Sequence, residues 1–109
     1  MDGLKFSWTQ WIPFRPWRLA GIVEAADEVP DRLPPKAVVM VGTEDYAKWL
    51  AFDCPCGQSH RILIPLDKAK KPHWRIEGRT RLSVFPSVDA TRAGVRCHYI
   101  IRDGRTKWV

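Results

Sequence analysis

The apolar positions of the chain fall in short runs separated by proline, glycine and charged residues. None keeps the three-to-four-residue spacing of an amphipathic helix over several turns. Ala37-Val38-Val39-Met40-Val41, lying between Pro35 and Gly42, is a β-branched run and predicts a buried strand. Trp49-Leu50-Ala51-Phe52 predicts a strand that runs straight into Cys54, and His60 to Leu66 predicts its return. Between these two strands and the first, Thr43 to Lys48 predicts one helical turn. Shorter strands are expected at about 73–77, 81–85, 95–102 and 105–109. The 81–85 strand alternates and is expected to end at Pro86-Ser87. The last two strands are joined by Asp103-Gly104, a pair suited to a two-residue hairpin turn that needs positive φ at both positions.

The N-terminal stretch behaves differently. Residues 4–18 interleave aromatics with two prolines, which predicts an extended arm laying its rings on the rest of the protein. A short apolar stretch, Gly21 to Ala26, follows it. A turn-rich connector, Asp27 to Pro35, then leads into the first clear strand. The expected organisation is an aromatic arm over 1–20 and a zinc-binding β domain over 21–109. The fold class is mostly β: a small, single-domain antiparallel sheet stapled by one zinc site.

Composition changes this picture in two ways. A chain of 109 residues supports only one modest core, so a metal staple is worth much to it. The net charge of +6 admits an acidic partner, including nucleic acid. The cations are scattered, however, and their densest group (Lys68, Lys70, Lys71) falls in an expected loop, which favours a solvated surface over a nucleic-acid face. No apolar run approaches the ~18 residues of a membrane span, and the N-terminus lacks a secretory pattern. With three cysteines, which cannot all pair, these features predict a cytoplasmic protein whose thiols are reduced, metal-bound or catalytic.

The segment Asp53-Cys54-Pro55-Cys56-Gly57-Gln58-Ser59-His60 carries the clearest chemistry. Zinc takes thiolate and imidazole donors in a tetrahedron, and residues two apart on an extended chain project to the same side. Cys54 and Cys56 therefore reach one ion together, and Cys97 brings a third thiolate from a late strand. The fourth ligand is His60 or His98. Cys97 and His98 are neighbours on an expected strand and should leave opposite faces, which selects His60. Such a closed site is structural, without an open position for water.

His98, released from the metal, lies on a strand expected beside Ser87. A serine becomes a nucleophile when a base stands about 3 Å away to take its proton. Asp89 or Asp103 could orient the imidazole, and the residues alone select neither.

Taken in order, several of these segments form a pattern: Cys54-Pro55-Cys56-Gly57, Pro65-Leu66, Trp74-Arg75, Leu82 to Pro86-Ser87-Val88, Cys97-His98-Tyr99-Ile100-Ile101, and Asp103-Gly104 followed by Trp108. With the lead-in Asp27 to Pro34, it resembles a family of small bacterial proteins catalogued as a domain of unknown function. Some members are encoded beside E1-like, E2-like and ubiquitin-like proteins in bacterial ubiquitination-like (Bub) operons. There they are regarded as zinc-containing serine peptidases. The resemblance spans roughly residues 22–109. It implies Ser87 as nucleophile, His98 as base, a structural zinc, and a ubiquitin-like protein or its conjugates as partner.

The chain departs from the commoner pattern of that family, in which Gln58 and Val95 would be cysteines and Cys97 a serine. His60 and Cys97 then look like replacements for the two missing thiols. Three functions compete. The first is a zinc-stabilised serine peptidase that processes or deconjugates a bacterial ubiquitin-like protein. The second is a non-catalytic zinc-stapled adaptor, binding protein or nucleic acid through its basic, aromatic face. The third is a zinc hydrolase using a carboxylate such as Glu44, which three thiolate donors disfavour.

Overall fold

The structure is a computed structural model and describes residues 4–43, 45–55, 60–71, 73–92 and 95–109. Among the described residues, eight strands form two four-stranded sheets. The first contains β1 (Arg18–Val23), β2 (Ala37–Gly42), β3 (Ala47–Asp53) and β4 (Arg61–Pro65), in that spatial order. The second contains β5 (Arg75–Glu77), β6 (Ser83–Arg92), β7 (Val95–Arg102) and β8 (Arg105–Trp108), also in sequence order. Every neighbouring pair is antiparallel except β1 and β2, which run parallel. Parallel neighbours need a long crossover, and residues 24–36, with a short 3-10 turn at Ala26–Glu28, supply it. The mostly β expectation holds. The single sheet it envisaged is two antiparallel-rich sheets in one small domain.

β2 is buried along its whole length, as a β-branched run without polar alternation should be. One face, Val38 and Met40, joins the main core with Leu50, Phe52, Ile62, Ile64, Leu82, Val84, Val88, Tyr99 and Ile101. The other face, Val39 and Val41, packs with Val23 and Leu33 under Leu4, Phe6, Val29 and Trp49. The N-terminal residues thus cover the outer face of the first sheet.

Trp17 lies fully inside the main core, edge-on to Phe52 at 5.4 Å, with its indole N–H donating to Thr106 Oγ1 at 2.7 Å. Arg18 is buried beside it. Its guanidinium donates to Gln10 Oε1 (2.9 Å) and to the carbonyls of Gln10, Pro16 and Pro35. Burial and the nearby Arg15 charge lower its pKa. These bonds clip the preceding segment to the body. Trp8 and Phe14 remain exposed.

Two local expectations change. Thr43 and Tyr46 exchange backbone hydrogen bonds of 3.0 and 3.2 Å across the β2–β3 connection, making a tight turn where one helical turn was expected. Gly42 opens that turn at φ 131, where a Cβ would stand 2.4 Å from the Tyr46 carbonyl oxygen, so only glycine fits. The strand expected to stop at Pro86 continues to Arg92. The β6–β7 pairing jumps from Val84↔Ile101 to Val88↔Tyr99, so the chain bulges between these points and Pro86, lacking an N–H, costs no ladder bond. The closing hairpin turns as predicted, with Asp103 and Gly104 both at positive φ.

Candidate functional site

Alternation along β6 and β7 divides the site between two faces. Val88, Ala90, Cys97 and Tyr99 point into the core; Ser87, Asp89, Arg96 and His98 point out.

On the inner side, Cys97 meets Cys54, which follows β3, and His60, which precedes β4. The β3–β4 hairpin brings the latter two together, and the Cys54 amide donates to the His60 carbonyl at 2.8 Å. All three side chains are buried, and one donor atom of each lies within 4.8 Å of the others. Tetrahedral zinc–thiolate bonds of ~2.3 Å would set donors about 3.8 Å apart, so two thiols and an imidazole at this spacing suit a metal ion with little movement. Cys56, expected as a further ligand, lies outside the described residues, as does Glu44.

On the outer side, Ser87 Oγ stands 3.0 Å from His98 Nε2. Both residues are half-buried. The indole N–H of Trp74 donates to the Ser87 carbonyl at 3.1 Å and fixes the backbone there. Asp89 is the cross-strand partner of His98. The His98 carbonyl accepts from the Val109 amide at 3.0 Å, on the side of β8. Asp89 and His98 therefore form a pair without mutual backbone hydrogen bonds, the kind in which opposing side chains stand closer. Arg96 grips the Asp89 carboxylate with two bonds, of 3.0 and 2.7 Å. Those bonds hold the carboxyl below the usual carboxylate range against the opposing effect of desolvation, and the charges of Arg96 and His98 add to the lowering.

Asp103, the other carboxylate considered, sits at the far hairpin turn, 78% exposed and 3.4 Å from Arg81. Sequence reasoning singled out neither Trp74 nor Arg96 for this site. The available signal was spacing: Ser87 and Asp89, like Arg96 and His98, are two apart on adjacent strands and so share one face. Lys68, Lys70 and Lys71 are exposed in the β4–β5 loop, as expected of a solvated surface.

The family model described as "Bacterial ubiquitination-like system serine protease (BubE)" matches residues 25–109. The chain belongs to the BubE family. The match takes in Cys54, His60, Cys97, Ser87 and His98, whereas β1 and the arm that clips onto it precede its first residue. No curated protein and no solved structure matches the chain. Among the described residues, no helix is long and apolar enough to cross a membrane.

Proposed function

We propose that this BubE-family protein is a serine peptidase that cleaves after the C-terminus of a bacterial ubiquitin-like protein, maturing it or releasing it from its targets in the cytoplasm. The observation that carries this reading is the 3.0 Å contact between Ser87 Oγ and His98 Nε2. With the imidazole proton on Nδ1, Nε2 accepts the hydrogen bond from the Ser87 hydroxyl. As Oγ attacks the scissile carbonyl carbon, its proton passes to Nε2 and the carbonyl electrons move to oxygen. Collapse of that intermediate breaks the scissile bond, and Nε2–H protonates the departing group. Water, deprotonated by the same nitrogen, then hydrolyses the acyl-serine. Asp89, opposite His98 and held ionised by Arg96, favours the imidazolium that forms in each step. It is a positioning residue.

Zinc would fit the inner cluster, with Cys54, His60 and Cys97 as ligands; Cys56, outside the described residues, is the fourth ligand expected from the sequence. Bound there, it would supply structural cross-linking. Its ligands would tie the β3–β4 hairpin to β7 and so fix the strand that carries His98. A folded Ser87→Ala protein that processed a ubiquitin-like substrate as fast as the unaltered chain would overturn this mechanism and leave the zinc-stapled adaptor.

A further inference from the structure

Beyond Ser87, β6 has a strand neighbour on one side only among the described residues. β5 pairs with β6 from Ser83 to Phe85 and no further, and among the described residues no strand pairs with Val88–Thr91 on the side away from β7. The direction of the backbone groups on that run follows from two bonds. The Ser87 carbonyl points away from β7, to the Trp74 indole, and the His98 carbonyl points to β8, away from Asp89. Successive strand residues direct their N–H and C=O to opposite sides, so those of Asp89 and Thr91 also point away from β7.

Facing them is the outer edge of β4, which among the described residues pairs with β3 alone. There the Pro65 carbonyl accepts from the Trp74 amide at 2.8 Å, on the side away from β3, and the same parity directs the backbone groups of Leu63 outward. Between the two edges runs a groove of about 310 Å³ lined by Leu63, Trp74, Asp89 and Thr91 among others. Leu63 is 48% exposed, although its neighbours Ile62 and Ile64 are buried.

From this geometry we infer that the groove binds the extended polypeptide leading to the scissile bond, which adds to the free edge of β6 as a strand. The inference rests on the peptidase reading, because continuity with Ser87 identifies the occupant. The nucleophile stands on β6 itself, half-buried, so a single extended chain hydrogen-bonded to Asp89 and Thr91 is delivered along the strand to Oγ. An exposed edge of this kind recruits main chain through its unpaired groups, while alternate side chains are read by pockets. Leu63 and Trp74 offer the apolar contact for such side chains.

The test uses the full-length Ser87→Ala protein, so that binding is read without turnover. The probe is an acetylated hexapeptide alternating leucine with threonine, at millimolar concentration, with amide hydrogen exchange read residue by residue. The peptide is expected to slow exchange at Asp89 and Thr91. A version N-methylated at alternate residues should bind about tenfold more weakly for each hydrogen bond lost. Thr91→Pro, which removes an outward N–H without touching the ladder to β7, should weaken the unmodified peptide similarly and level the two versions.

Unchanged exchange at both amides, or equal affinity for both peptides, would overturn the groove. So would concentration-dependent protection without peptide, which would assign the edge to a second copy of the chain. Labelling of Ser87 by a fluorophosphonate reports on the peptidase reading separately, so either can fail alone.

Discussion

Cys97 and His98 are adjacent in sequence and serve opposite faces of β7: the thiol joins Cys54 and His60 in the buried interior, and the imidazole reaches outward to Ser87 Oγ at 3.0 Å. The strand's two-residue period separates a metal-type cluster from a serine–imidazole pair with no intervening residue. Whatever fixes Cys97 also fixes the backbone that presents His98. In the proposed mechanism, stability and chemistry are therefore coupled across one peptide bond, in a way that mutations on either side can expose.

Replacing Ser87 with alanine is expected to lower hydrolysis of a ubiquitin-like fusion at least about a thousandfold, since the proposed nucleophile is removed. The melting temperature should change by no more than a few degrees, because Ser87 is only half-buried and its backbone bond from Trp74 remains. Kinetics and thermal unfolding of the same preparation check both halves.

The inner cluster predicts one zinc per chain by elemental analysis. Structural zinc binding free energy is folding free energy, so a strong chelator should lower the melting temperature by more than about 10 °C. His60→Ala should do likewise, whereas His98→Gln should leave the metal content at one. Unchanged melting after complete zinc removal would contradict the structural role.

Asp89→Asn is expected to reduce kcat about tenfold to a hundredfold with little change in KM, because it removes charge opposite His98 without touching the groove's backbone groups. A merely structural role would not produce that split. Arg96→Gln should raise the Asp89 pKa toward the ordinary carboxylate value, readable by carboxyl-carbon NMR. The sign for stability follows: the folded pKa lies below the unfolded one, so the contribution is complete above the ordinary carboxylate range. It is lost as pH falls through the lowered folded value. Arg96→Gln should remove that acid-side dependence.

The segment preceding the family match is expected to be part of the folding unit. Trp17→Ala should cost about 3–5 kcal/mol in denaturant unfolding, since a fully buried indole, its ring contact with Phe52 and its bond to Thr106 are lost together. Trp8→Ala and Phe14→Ala, on exposed residues of the same segment, should stay within about 0.5 kcal/mol.

These expectations show where sequence pattern was informative. β2 was legible because an unbroken β-branched run has no polar face to turn to water. β7 and β8 were legible because Asp103-Gly104 fixes both turn type and register. The course of β6 past Pro86 was not. A proline reads as a strand end unless a bulge takes up its missing N–H, and the bulge depends on β7. The residues alone leave Asp89 and Asp103 both open for the same reason: the register that sets Asp89 opposite His98 begins after that bulge. The parallel β1 is not legible as one strand: Arg18 to Ala20 fall in the expected arm and Gly21 to Val23 in a short apolar stretch, because its burial comes from a crossover rather than from local alternation. Parity on β7, by contrast, depends only on the strand's existence, so the divergence of Cys97 and His98 could be read directly.

The most direct test of the central claim is to treat the zinc-loaded, full-length protein with a fluorophosphonate and locate the adduct by mass spectrometry. The account predicts a single adduct on Ser87, formed at least about a hundredfold more slowly in His98→Gln because the hydroxyl has lost its base. Intact, folded, zinc-loaded protein with no adduct on Ser87, or labelling of equal rate in His98→Gln, would contradict it.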